Sequence, residues 1–173
     1  MKTVVIYKSK TGFAKKYAEW IAKALSADIF EASQIDIDLL TNYDTVIYGG
    51  GLYAVGINGV KFITKNLEKL SGKKLVVFAT GATPPREDAI NKVRNMNFTP
   101  EQQKTIRFFY MRGGFDNRKL KPIDKILMRL LKLKLKSKKQ LTPDERGMLS
   151  AYNIPVDFTR EKNIAELVVY VTD

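Results

Sequence analysis

The chain opens on an unbroken apolar run. "TVVIYK" (3–8) shows no alternation of apolar and polar positions, the pattern of a strand buried on both faces of a parallel sheet. The period then changes: Ala14, Tyr17, Ala18, Ile21, Ala22 and Leu25 recur at spacings of three and four, which predicts an amphipathic helix. "ADIFEA" (27–32), "DTVIYGG" (44–50), "KKLVVFAT" (73–80) and "TIRFFYMRG" (105–113) read as four more strands. "VKFITKNLEKL" (60–70) and a segment near 86–95 read as helices between them. "TREKNIAELVVYV" (159–171) predicts the last helix, with Thr159 as its expected cap. Strands alternating with helices make βαβ units, hence an α/β protein of three layers with helices on both faces of a parallel sheet. Five such strands suit the order 2-1-3-4-5, in one domain over residues 1–173.

Residues 115–155 are extra to that scheme. Within them Thr142, Pro143, Asp144 and Glu145 spell a capping box with proline at the first helical position. "IDKILMRLLKLKLKSKK" (123–139) sets Ile123, Ile126, Leu127, Leu130 and Leu131 on one helical stripe, with Lys125, Arg129 and Lys132 off it. From Leu131 the pattern becomes strict alternation, which fits a helix end or extended chain. Charge singles out the same stretch. Residues 118–139 hold ten Lys and Arg against one acid, Asp124, a net of +9 that leaves +3 for the rest of the +12 total. Basicity so localised points to a surface patch and an acidic partner. Three readings stay open: a helical cover for the sheet with solvated lysines, a helix on an anionic membrane surface, or a dock for an acidic macromolecule. No nucleic-acid motif and few interleaved aromatics occur, so no specific nucleic acid is expected.

Composition narrows the chemistry. A hydrophobic content of 45% with 28% charged residues suits a globular chain. No apolar run reaches the roughly 18 residues of a membrane span, and "TVVIY" is short for a signal-peptide core, so a cytoplasmic location is expected. There is no cysteine and no histidine. A disulfide framework and a thiol redox site are excluded, and the commonest metal ligand and general base are missing. The acid pairs Glu87–Asp88 and Asp36–Asp38 read as solvated, and Trp20 as packing. The simplest source of chemistry is then a cofactor.

In such a sheet ligands bind beyond the carboxyl ends of the strands, near the reversal of strand order. That rule selects Ser9–Ala14 within "YKSKTGFAKKYAEWIA" (7–22), "GGGLYAVG" (49–56) and "TGATPPR" (80–86). The first loop precedes a helix, whose unpaired N–H groups and partial positive charge favour an anion. Gly12 lets backbone approach closely, and Ser9 and Thr11 can donate to phosphate oxygens. The alternative is a tight turn that binds nothing. No P-loop and no G-x-G-x-x-G is present, so a single terminal phosphate fits best. "YGGGLY" carries no phosphoacceptor aspartate after the third strand.

"SKTGFAKKYA" (9–18) resembles the flavodoxin phosphate loop, commonly [ST]-x-T-G-x-T, departing from it at Ala14 and in the basic Lys10. The resemblance implies a flavodoxin-like fold and FMN as cofactor. Its phosphate would lie on Ser9, Lys10, Thr11, Gly12, Phe13 and Ala14. Its ring would lie between Gly51, Leu52, Tyr53 and Ala54 on one side and Thr80, Gly81, Ala82 and Thr83 on the other, with Tyr53 as the stacking ring. The implied role is electron transfer with a redox partner protein or a quinone. "GGFDNRKLKPIDKILMRLLK" (113–132) is similar to the insertion of the menaquinone-dependent protoporphyrinogen dehydrogenases. That similarity implies, as an alternative, a quinone-linked flavin dehydrogenase peripheral on the inner face of the membrane through residues 118–139. A flavodoxin fold with degenerate loops, serving as a non-redox binding module, is the third reading.

Overall fold

The computed structural model describes residues 1–53 and 55–173. The strands are β1 (Thr3–Lys8), β2 (Asp28–Glu31), β3 (Thr45–Tyr53), β4 (Gly56–Ile57), β5 (Lys74–Gly81), β6 (Ile106–Arg112), β7 (Gly114–Phe115) and β8 (Val156–Asp157). The helices are α1 (Phe13–Leu25), α2 (Lys61–Thr64), α3 (Glu87–Asn97), α4 (Pro100–Thr105), α5 (Pro122–Lys136), α6 (Pro143–Asn153) and α7 (Ala165–Thr172). The parallel sheet runs β2-β1-β3-β5-β6. With the two-residue antiparallel β4 set aside, this is the expected order 2-1-3-4-5.

The register explains the unbroken apolar runs. Val4, Val46, Leu75 and Ile106 form one row across the sheet, and Val5, Ile47 and Val76 the next. Neighbouring rows face opposite sides of a pleated sheet, so both sides must be apolar. On one side Val5, Ile47, Val76 and Phe78 pack against Tyr17, Ala18 and Ile21 of α1 and Leu167 and Val171 of α7. On the other, Val4, Val46 and Leu75 meet Leu40, Ile63, Leu70, Val93 and Phe98. Trp20 packs against the first of these clusters, its ring edge-on to Tyr17.

Three local expectations change. The helix read over 60–70 is helical only in α2. Beyond it the chain takes tight turns, with Asn66 N–H on Ile63 O (3.0 Å) and Leu70 N–H on Leu67 O (3.2 Å). Thr159 does not cap the last helix. Its N–H and hydroxyl both donate to Asp157 Oδ1 (2.8 and 2.6 Å), and a 3-10 turn at Glu161–Ile164 leads into α7. β3 extends to Tyr53, so the glycine run lies inside the sheet rather than in a loop. Helix α4 is an addition to the expected elements, started by a capping box at Thr99-Pro100-Glu101-Gln102 that is formed on both sides.

β7 and β8 pair antiparallel and close the base of the insertion. α6 starts at the expected capping box, with Glu145 N–H on Thr142 Oγ1 (3.2 Å) and Thr142 N–H on Glu145 Oε2 (2.9 Å). α5 stays helical through Lys136, so the alternating "LKLKLK" is helix. Its predicted stripe does not cover the sheet: Ile123, Ile126, Leu127 and Leu130 are exposed and Leu131 is half-buried, while Asp124 and Leu135 are buried. Among the described residues no helix is long and apolar enough to cross a membrane.

Candidate functional site at the carboxyl ends of the strands

The first loop joins β1 to α1 through Gly12, whose φ of 93° places it in the left-handed region. A Cβ would have open space there, so the constraint on this glycine is backbone conformation alone. Gly12 caps α1 without a side-chain hydrogen bond, and no acidic residue lies in the first turn. The positive end of the helix is therefore not offset by a side-chain cap or an acid in its first turn. Ser9 Oγ accepts from Gly12 N–H (3.0 Å), which fixes the loop and leaves the hydroxyl proton to donate elsewhere. Ala14 is buried at 1% exposure, so it can offer only its backbone. Phe13 is buried too and lies against the backbone at Gly114.

The glycines of the second segment do different jobs. A Cβ on Gly49 would run into the Phe78 ring, and one on Gly50 would lie 2.6 Å from Ile57 Cγ2. Those two are demanded by packing. At Gly51 the nearest atom would be Thr80 Oγ1 at 3.8 Å, so that position is open. Asn97 at the end of α3 holds the turn beyond: its Oδ1 accepts from Ile57 N–H (2.8 Å) and its Nδ2 donates to Val55 O (2.7 Å). The third segment is held from β6. The Tyr110 hydroxyl donates to Thr83 O (2.9 Å) and Arg112 Nε to Ala82 O (3.2 Å).

Together the three segments bound a cavity of about 340 Å³. Lys10, Thr11 and Phe13 line it from the first, Gly51, Leu52 and Tyr53 from the second, and Thr80, Gly81, Ala82 and Thr83 from the third. Ser9, Gly12 and Ala14 are not in the lining, and Ala54 lies outside the described residues. The volume falls in the ~300–1,000 Å³ range of small-molecule sites.

The sequence model of the flavodoxin domain matches residues 4–142, from β1 through α5 of the insertion. The chain belongs to the flavodoxin domain family. An uncharacterized protein of Methanocaldococcus jannaschii is 36% identical over 87 residues, 49% of this chain, and the chain spans 57% of that relative's length. Among solved structures, the Trp repressor binding protein of Bacillus subtilis superposes with a TM-score of 0.50 at 16% identity, over 87% of this chain and 94% of that one. Oxidised flavodoxin 2 of Bacillus cereus gives 0.48 at 17% identity, over 96% and 99%. At such identities the likeness concerns the fold.

The flavodoxin cavity has a roof that the loop pattern does not announce. Leu120, Leu127, Met128, Leu131 and Met148, all from the insertion, close its outer side. Asp124 is the anchor: it is buried at 6% exposure and accepts from Lys10 Nζ at 2.9 and 3.1 Å. The same ammonium sits 4.5 Å from the centre of the Tyr53 ring. One cation thus joins the first loop, the end of β3 and the insertion. At the base of the insertion, the Arg118 guanidinium bonds both Asp116 oxygens (3.0 Å each) and holds that carboxyl below its ordinary range. Among the described residues no group of three acidic, His or Cys side chains is placed to hold a metal.

Sequence reasoning missed Tyr110, Asn97 and Asp124. Tyr110 and Asn97 sit mid-strand and at a helix end, with no local mark of a role. Asp124 did carry one, as the single acid in a segment with ten cations.

Proposed function

We propose that this chain binds FMN in the 340 Å³ cavity and works as an electron-transfer flavoprotein. The observation that carries the reading is the joining of an uncapped, acid-free helix start to a slot between two strand ends. The residues present suit the group. The amides at the start of α1 and the Thr11 hydroxyl would take a terminal phosphate, with Ser9, just outside the lining, holding the loop through the Gly12 amide. Leu52, Tyr53 and the open face at Gly51 bound one side of a flat ring, and Thr80–Thr83 the other. When bound, FMN supplies reversible electron transfer at its isoalloxazine ring. The chain's own part is to bind, to orient through backbone donors, and to exclude water with the apolar roof. No catalytic side chain is required.

The roof favours a second reading for the reaction partner. Leu127, Met128, Leu131 and Met148 present apolar surface toward the ring slot, which suits an apolar acceptor such as a quinone better than a charged one. Turnover with a soluble quinone analogue, against turnover with a reductase alone, separates a dehydrogenase from a carrier.

The decisive experiment is a titration with FMN and with riboflavin, followed by flavin fluorescence quenching. Binding of FMN at least tenfold tighter than riboflavin is expected, because only FMN can use the α1 start. Equal affinities would remove the phosphate site from the reading. Binding of neither would leave a flavodoxin fold that acts as a binding module.

A further inference from the structure

The outer face of α5 is built against the usual logic of a surface helix. Ile123, Ile126, Leu127, Leu130 and Leu133 are 73, 60, 46, 58 and 61% exposed. At 100° per residue they fall in one arc of about 120°. The helix turns another set inward: Asp124 and Leu135 are buried, and Met128 and Leu131 line the cavity. Of the two apolar sides, one faces the protein and the other is exposed among the described residues. Five large aliphatic side chains on one exposed arc mark an interaction surface, since soluble surfaces rarely gather them.

The flank of that arc identifies the partner. Lys125, Arg129 and Lys136 follow one another along a neighbouring strip and are exposed, and Lys134 lies within the arc itself. Lys121 and Lys139 add exposed charge at the two ends. Residues 118–139 carry +9 of the chain's +12. A continuous apolar arc beside a basic strip suits a surface that is apolar below and anionic above, which is the acyl and headgroup boundary of a bilayer. A second copy of this chain fits less well, because α5 would bring two strongly basic strips together.

We propose that α5 docks this protein on an anionic lipid bilayer, lying in the interface plane with Ile123, Ile126, Leu127, Leu130 and Leu133 in the acyl boundary. Lys125, Arg129, Lys134 and Lys136 meet the headgroups. The inference does not rest on the flavin reading, because it uses only the outer face of the helix. The two still meet in space: Leu127 belongs to both the exposed arc and the cavity roof, so docking would set that roof against the bilayer surface.

The test is co-sedimentation of the full chain, without flavin, with vesicles of phosphatidylcholine alone and with vesicles containing phosphatidylglycerol. Binding to the anionic vesicles and at least tenfold less to the neutral ones is the expected result. Ile126→Glu with Leu130→Glu, both at exposed positions, removes binding and leaves the thermal midpoint unchanged. Lys125→Gln with Arg129→Gln and Lys136→Gln weakens it by about fivefold per charge. Absence of binding to anionic vesicles overturns the proposal. So does binding that survives the glutamate pair, since adsorption would then be by charge alone. A dimer in analytical ultracentrifugation, dissociated by the glutamate pair without any vesicle binding, assigns the face to a second copy and also overturns it.

Discussion

Asp124→Asn isolates the contact that holds the insertion over the cavity. The carboxylate is buried, and both oxygens accept from Lys10 Nζ, at 2.9 and 3.1 Å, across 114 residues of chain. A hydrogen bond between charged groups contributes about 1.5–3 kcal/mol. The Lys10 side chain is 37% exposed, however, and water screens the pair, which brings the figure toward about 1 kcal/mol. That is roughly a fivefold change in the local opening equilibrium of α5. Hydrogen exchange of the amides in 122–136 reads it directly. The expected result is about fivefold faster exchange there, with exchange in β1, β3 and β5 unchanged. Lys10→Met should do the same, and the double variant should show coupling of about 1 kcal/mol between the two. If exchange in α5 is indifferent to Asp124→Asn, or if the central strands loosen equally, the pair is not the latch described here.

Three further outcomes are expected. Gly49→Ala forces a Cβ into the Phe78 ring and should cost roughly 2–3 kcal/mol in urea unfolding, whereas Gly51→Ala should stay within about 0.5 kcal/mol; equal effects would mean the glycine run has one common role. Tyr110→Phe removes the donor to Thr83 O and should weaken FMN binding by about fivefold with little change in global stability, and unchanged affinity would detach the third segment from the site. Lys138 first, and then the Thr142 N–H, hold the Glu145 carboxyl below its usual 4.5. A carboxyl lowered in the folded state contributes stability that is complete above the ordinary value and is lost as pH falls through the lowered one. Exchange protection at the start of α6 should therefore hold from neutral pH down to the usual carboxylate range and decline below it. Glu145→Gln should flatten that dependence.

The sequence by itself determined the layers and picked out three segments that come together around one cavity. Unbroken β-branched runs such as "TVVIYK" are readable because a strand buried on both faces must be apolar at every position. The stripe Tyr17, Ala18, Ile21, Ala22 is readable because one helix face meets one sheet face. Gly12 before α1 is readable because its conformational demand is local. Local chemistry also wrote α4, at Thr99-Pro100-Glu101-Gln102, with the same kind of capping box as α6.

Only the tertiary structure decided which apolar stripe of α5 turns inward. Ile123, Ile126 and Leu127 satisfy the helical period as well as Met128, Leu131 and Leu135 do, and periodicity gives a stripe without naming its neighbour. Asp124, paired with Lys10, lies on the inward side with Leu135, and the other face is left exposed. The same holds for Gly49 and Gly51, two letters apart in one strand. One is filled by a Phe78 ring from the neighbouring strand and the other is left open to the cavity, a difference set by residues some thirty positions away. Patterns of period and capping depend on a few adjacent residues. Rotation, close approach and cavity walls depend on what distant segments place alongside, and that is fixed only when the whole core packs.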